Sequence, residues 1–231
     1  MFSVKTNHPV AYDSKDHLYP EGVFWDNNVS LDFVRSVELY FGKKIDFMDQ
    51  GCAGGALVVE MHKRGHRSIG LEGSDQLLNP SQELIKEYGK KPVGFENWQV
   101  YGNFNLFTCD LSKEYEVFLD KSSAKFDLIT SWDVMEHFKP EDVDQVLTSV
   151  HKHLKEDGLF VASIAIFQSY RQPSPLGAGH LSVEHVEYHE SVFPESWWLE
   201  KCDKYFERID YPFGITNRGI HKHLLFCGRK K

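Results

Sequence analysis

At 231 residues the chain is long enough to bury one full sheet-and-helix core and short for two independent ones. A composition of 41% hydrophobic and 26% charged residues excludes a disordered or fibrous protein, and a formal net charge of −8, with no basic block beyond Arg229-Lys230-Lys231, excludes a long nucleic-acid backbone as partner. Cys52, Cys109, Cys202 and Cys227 show neither zinc spacing nor a disulfide framework, and no stretch approaches the ~18 apolar residues of a membrane span; reduced thiols and a cytoplasmic location are the expectation.

The chain reads as a single domain over residues 1–231, folding alone or as a simple oligomer such as a homodimer. Residues 1–29 form a polar arm dotted with Tyr12, Tyr19 and Trp25. Ser30 then caps a helix whose apolar residues Leu31, Val34, Val37 and Phe41 recur at helical spacing and which stops at Gly42. A short buried strand at Ile45 to Met48 is followed by a helix from Gly55 to Arg64 and a strand at Ser68 to Leu71, a compact βαβ unit. Further strands are expected at Phe104 to Cys109, Phe126 to Thr130 and Leu159 to Ile164, and helices near Ser81 to Tyr88, Lys113 to Leu119 and Pro140 to Leu154. Residues 166–193 break into Gly, Pro, Ser, His and Tyr and read as an active-site cap. Residues 194–231 supply a helix near Glu195 to Lys204 and two strands, at Phe206 to Tyr211 and His223 to Cys227, expected to pair antiparallel. This alternation predicts a mostly parallel sheet covered by helices.

The strongest local signal is Asp49-Gln50-Gly51-Cys52-Ala53-Gly54-Gly55, where the first parallel strand meets its crossover helix. Glycines let a ligand approach the backbone, and the helix start beyond offers free N–H groups and a positive dipole end. Glu72 ends the next strand, at the spacing from which a carboxylate grips ribose hydroxyls. Loop and acid alone also suit a nicotinamide dinucleotide.

With those residues in place, the sequence resembles class I methyltransferases, with Ala53 standing where their glycine-rich turn usually has its middle glycine. The resemblance runs over roughly residues 30–165, the donor-binding core. Thr108-Cys109-Asp110 is similar to the family's third-strand motif, Phe126 to Phe138 to the fourth-strand motif, and Leu154 to Phe160 to the turn into the fifth strand, and these later motifs decide against the dehydrogenase reading. The resemblance implies a Rossmann-like seven-stranded, mostly parallel α/β sheet with helices on both faces and an antiparallel C-terminal edge strand. It implies S-adenosylmethionine as cofactor, with Asp49 near its ammonium group, Gly51, Cys52, Ala53 and Gly55 along its amino-acid end, Glu72 on the ribose, Asp110 at the adenine amino group, and Asp133 on the opposite side.

The acceptor is less legible. A hydroxyl acceptor gains from proton removal by a histidine or carboxylate within reach. His189, His137 and His180 are the candidates, with His185 beside them, whereas His151 and His153 fall on a helix expected to be solvated. Cap histidines with Glu184 and Glu187 are an alternative, as ligands of a divalent metal that orients a diol acceptor, but their spacing matches no tetrahedral zinc pattern, so the metal is not favoured. Trp197 and Trp198 are candidates for stacking against a sugar face, but adjacent tryptophans on a short helix cannot both face one way, so at least one belongs to the core. The expectation is O-methylation of a sugar, glycan or other small polar metabolite. N-methylation of an amine or side chain, and a non-catalytic module keeping the fold, are the alternatives. No Asn-Pro-Pro-Tyr stretch supports base or glutamine N-methylation.

Overall fold

The computed structural model describes residues 1–171, 186–214 and 223–231. In chain order the principal elements are β1 (Phe2–Thr6), α1 (Leu31–Phe41), β2 (Asp46–Gln50), α2 (Ala56–Lys63), β3 (Arg67–Glu72), α3 (Gln82–Tyr88), α4 (Phe95–Tyr101), β4 (Leu106–Thr108), β5 (Tyr115–Leu119), β6 (Phe126–Trp132), α5 (Val143–His153), β7 (Leu154–Ala165), α6 (Glu195–Cys202), β8 (Phe206–Arg208) and β9 (His223–Lys230). The sheet runs β8-β9-β7-β6-β2-β3-β4. Strands β7, β6, β2, β3 and β4 are parallel, while β9 runs antiparallel to both β7 and β8. The expected class and its antiparallel C-terminal edge are therefore present.

Residues along each central strand alternate between two buried clusters. Phe47, Leu128 and Val161 join Phe33, Val37, Val58 and Met61 on one face, whereas Met48, Ile129 and Phe160 join Val146, Leu147 and Trp198 on the other. Burial on both faces is why these strands read as continuous apolar runs. The cap on α1 forms as expected: Ser30 Oγ accepts the Phe33 N–H at 3.2 Å, and Gly42 closes the helix at φ +59°.

One expected helix is a strand. Tyr115–Leu119 pairs antiparallel with β1, placing Val4 opposite Val117, so the N-terminal arm begins with a strand of a small separate sheet. The segment has β-branched and aromatic residues, and Tyr115 and Val117 are buried while Glu116 between them is exposed, a two-residue period that helical reading overlooked. Helix α4 was also not expected from the sequence.

His153 is the second correction. It is buried rather than solvated, its Nδ1 lies 2.7 Å from the Ser149 carbonyl oxygen, and its ring stacks on Tyr115 at 4.9 Å. Burial pulls its pKa down to about 4, so it is a neutral core residue.

Candidate active site

A cavity of about 940 Å³ opens at the carboxyl ends of the parallel strands, with a smaller one of about 230 Å³ beside it; Gly51, Ala53 and Trp132 line both. An open α/β sheet binds ligands at this edge because the loops leaving the strands and the starts of the following helices converge there.

The turn after β2 is shaped by two left-handed residues. Gly51 has φ +68°, and a β-carbon on it would lie 2.3 Å from Val134 Cγ2. Ala53 has φ +41°, a conformation costly for a residue with a side chain, which explains why the resembling motif prefers glycine there. The strain is held in place from three sides. Ala53 N–H donates to Glu72 Oε2 at 2.9 Å, Trp98 Nε1 donates to the Ala53 carbonyl at 2.9 Å, and Asn97 Nδ2 donates to the Gly54 carbonyl at 2.9 Å. Gly54 N–H reaches the Asp26 carbonyl, and Asn27 Oδ1 accepts the Ala56 N–H at 3.0 Å, capping α2 from the N-terminal arm. Asp26, Asn27, Asn97 and Trp98 are thus positioning residues that sequence reading missed, because no local spacing ties them to residues 51–56.

Each acid expected at the donor site lies near this turn or along the cavity. Asp49 is buried, lines the smaller cavity and accepts the Thr130 hydroxyl at 2.6 Å. Glu72 is buried with both oxygens taking backbone N–H groups, from Ala53 and from Ser74 at 3.0 Å. Burial nonetheless pushes its carboxyl up to about 7, only partly offset by those amides. Asp110 lines the large cavity and accepts from Ser112 through both N–H and hydroxyl. Asp133, itself at φ +53°, accepts the Ser163 hydroxyl at 2.5 Å and stands 3.7 Å from His223 Nε2. Cys52 contributes backbone only: its thiol packs where Gly70 lacks a side chain, and burial, with Glu72 and Asp49 nearby, keeps it protonated.

Two of the expected histidines meet in the wall of the large cavity. The His137 and His189 rings lie 5.0 Å apart at 78°, although 52 residues separate them in the chain. His180, with His185 and Glu184, lies outside the described residues. His189 is held by its neighbours. Its N–H donates to Gln168 Oε1 at 3.1 Å, Gln168 Nε2 donates to its carbonyl at 3.2 Å, and its Nδ1 lies 2.7 Å from the Phe167 carbonyl oxygen. The N–H groups of Glu190 and Ser191 both donate to the Glu136 carbonyl, fastening this segment to the single turn Met135–His137. His137 Nδ1 is 3.3 Å from Asp16 Oδ2, while Tyr188 donates its hydroxyl to Asp16 Oδ1 at 2.5 Å.

Glu136 is the unexpected member. It is fully buried, lines the same cavity, and neither carboxyl oxygen has a side-chain hydrogen-bond partner among the described residues. Burial, reinforced by the charge of Asp133, pushes its pKa well above the carboxylate range, and the nearby amides of Glu136 and Ala165 offset this only in part. Trp198 is wholly buried and Trp197 stacks on Phe193, which settles the tryptophan pair in favour of packing.

The doubly covered parallel sheet, with its glycine turn and cavity at the carboxyl edge, defines the Rossmann-like class. A family model described as a methyltransferase domain matches residues 26–204, and the chain belongs to that family. No curated protein matches it. Among solved structures it is similar to an S-adenosylmethionine-dependent methyltransferase from Clostridium acetobutylicum, at 15% identity and TM-score 0.54, covering 86% of this chain and 89% of that one. It is similar also to 1,6-didemethyltoxoflavin-N1-methyltransferase from Burkholderia thailandensis with bound S-adenosylhomocysteine, at 19% identity and TM-score 0.51, covering 84% and 76%. A third is magnesium protoporphyrin IX methyltransferase from Synechocystis with bound S-adenosylhomocysteine, at 14% identity and TM-score 0.51, covering 90% and 91%. The last two are named for different acceptors, so the likeness extends to the fold and not to the acceptor.

Proposed function

We propose that the chain is an S-adenosylmethionine-dependent O-methyltransferase acting on a hydroxyl of a sugar or other small polar metabolite. The observation that carries it is the joining, in one cavity, of the donor-side turn at Gly51 to Ala53 with a histidine pair about 50 residues apart in sequence. The residues present fit the donor. The left-handed turn leaves the backbone open where a side chain would intrude, Glu72 and Asp110 lie along the same cavity wall, and the volume lies in the range of sites for molecules of this size.

When bound, the donor supplies a methyl group on a positively charged sulfonium, already a good leaving group. The protein's task is then alignment and exclusion of water, with help in removing the acceptor proton. In this reading Asp49, Asp110 and Asp133 set negative charge around a cationic donor, and Glu72 holds its ribose. In this reading His137 or His189 takes the proton of the acceptor hydroxyl, and what supports it is that both line the cavity with Asp16 and the Phe167 carbonyl beside their rings.

The test is calorimetric titration of S-adenosylmethionine and S-adenosylhomocysteine, with NAD in parallel, followed by transfer of labelled methyl to a panel of polyols, sugars and amines. Binding of the two sulfur ligands and label on oxygen acceptors supports the reading. Binding of NAD alone overturns it, and label on amines only replaces the O-methylation half with N-methylation.

A further inference from the structure

Glu136, His137 and His189 each present a ligating atom, and these three atoms all lie within 4.8 Å of one another. Ligands around a common cation at about 2.1 Å stand roughly 3–4 Å apart, so side-chain adjustment alone would close the set. Three further observations concern the same place. Glu136 is a fully buried carboxylate with no hydrogen-bond partner among the described residues on either oxygen, an expensive arrangement unless a cation or proton answers it. The Nδ1 of His189 is directed at a backbone carbonyl, the support that a ligating imidazole characteristically receives on its far nitrogen, and the Nδ1 of His137 faces a carboxylate. The backbone bonds from Glu190 and Ser191 to Glu136, with the Gln168 clamp on His189, fix the distant ligand beside the near pair without any help from an ion.

We propose that Glu136, His137 and His189 hold one divalent first-row transition cation in the cavity wall, and that this cation binds the acceptor through two adjacent oxygens such as a vicinal diol. Two imidazoles and one carboxylate on one side of an ion leave its remaining positions open, a donor set suited to manganese, iron, cobalt or zinc rather than to magnesium or calcium. The chemistry rests on the methyl-transfer reading above; the geometry does not. An acceptor hydroxyl on the cation loses its proton to bulk water near neutral pH. The resulting oxygen then forms the O–CH₃ bond as the methyl–sulfur bond breaks, leaving a neutral thioether. The role of the two imidazoles shifts accordingly, from taking the proton themselves to holding the ion that releases it.

Cobalt(II) added to chelator-treated protein is the probe, read by its visible d–d spectrum and by calorimetry, with S-adenosylhomocysteine affinity measured on the same samples. The wild type is expected to bind one cobalt per chain, and His189→Ala and Glu136→Gln to weaken that binding by roughly 100-fold while leaving S-adenosylhomocysteine affinity unchanged. His151→Ala, on the outer end of α5, serves as the control and should bind cobalt as the wild type does. The proposal is overturned if the wild type takes up no cobalt at about 1 mM, or if both variants bind it normally. Methyl transfer that persists in chelator without cobalt uptake would remove the cation and leave the methyltransferase reading standing; cobalt uptake without any donor binding would do the reverse.

Discussion

The two ends of the parallel strands treat buried acids in opposite ways. At the amino ends, Asp46 and Asp127 are nearly as buried as Glu72, yet each is surrounded by cations. Lys155 Nζ lies 2.7 Å from both, Arg67 grips Asp46 through two nitrogens, and Lys43 reaches Asp127 at 3.1 Å. Burial alone would raise the Asp127 pKa, but the hydrogen bonds from Lys155, the Asp46 amide and Lys43 hold it below the ordinary value. At the carboxyl ends, Glu72 and Glu136 face no cationic side chain among the described residues, nearby backbone amides offset their burial only in part, and both are pushed upward. One end is neutralised by cations from within the chain; the other holds acids that keep their protons longer and would release them to a cationic ligand. Structural acids and site acids are separated by what faces them, not by how deeply they lie.

Removing the internal cation should break this contrast most strongly. Lys155→Met leaves two buried carboxylates with one fewer partner and is expected to lower unfolding stability by about 2 kcal/mol at pH 7, discounted because Lys155 is partly exposed. Asp127 has a folded pKa below its unfolded value, so its contribution is present above about 3.8 and is lost as pH falls through the folded value. The deficit of the variant should therefore shrink in strong acid. Donor affinity, measured by calorimetry, should not change.

Glu72→Gln addresses the opposite end. A carboxyl raised from 4.5 to about 7 keeps its proton longer in the folded state, so wild-type stability should fall as pH rises through that window, by on the order of 2 kcal/mol. His153 and His66, whose pKa values burial lowers, work in the other direction below their ordinary value of 6.5, so the quantity to read is the difference between wild type and variant in urea titrations. Identical pH profiles would sink the idea that Glu72 is an uncompensated acid. A roughly tenfold loss of S-adenosylmethionine affinity should accompany the change.

Smaller effects come from the turn itself. Gly51→Ala forces a β-carbon against Val134 in a left-handed conformation and should cost about 1–2 kcal/mol in thermal unfolding, with donor affinity reduced at least several-fold. Ala53→Gly relieves a positive φ and should raise stability by about 0.5 kcal/mol, leaving donor affinity within about twofold; a destabilised variant would show that the Ala53 methyl contributes packing that outweighs its strain.

Much of the donor half was legible because its signals are local. Periodicity located α1, the βαβ unit and β6 to within a few residues, and Asp49 and Glu72 could be singled out by their positions at strand ends, whereas Asp110 was reached only through the resemblance to a family motif. The helix assigned to Lys113 to Leu119 failed because the strand there exists only through its pairing with Phe2–Thr6, more than a hundred residues away, and a five-residue segment carries too few periods to reveal a partner. His153 failed for a related reason: its burial depends on Tyr115 from that same strand.

By itself the sequence indicated a mostly parallel sheet covered by helices and set Asp49 and Glu72 at strand ends, since these rest on side-chain period and on spacing within one βαβ unit; the seven strands and their antiparallel edge came from the resemblance, and the strand order from the structure. Only the tertiary structure decided which histidines meet, that Glu136 lies beside them without a partner, and that the N-terminal arm braces the glycine turn through Asp26 and Asn27. Those outcomes depend on contacts between segments tens of residues apart, where spacing along the chain carries no information about distance in space.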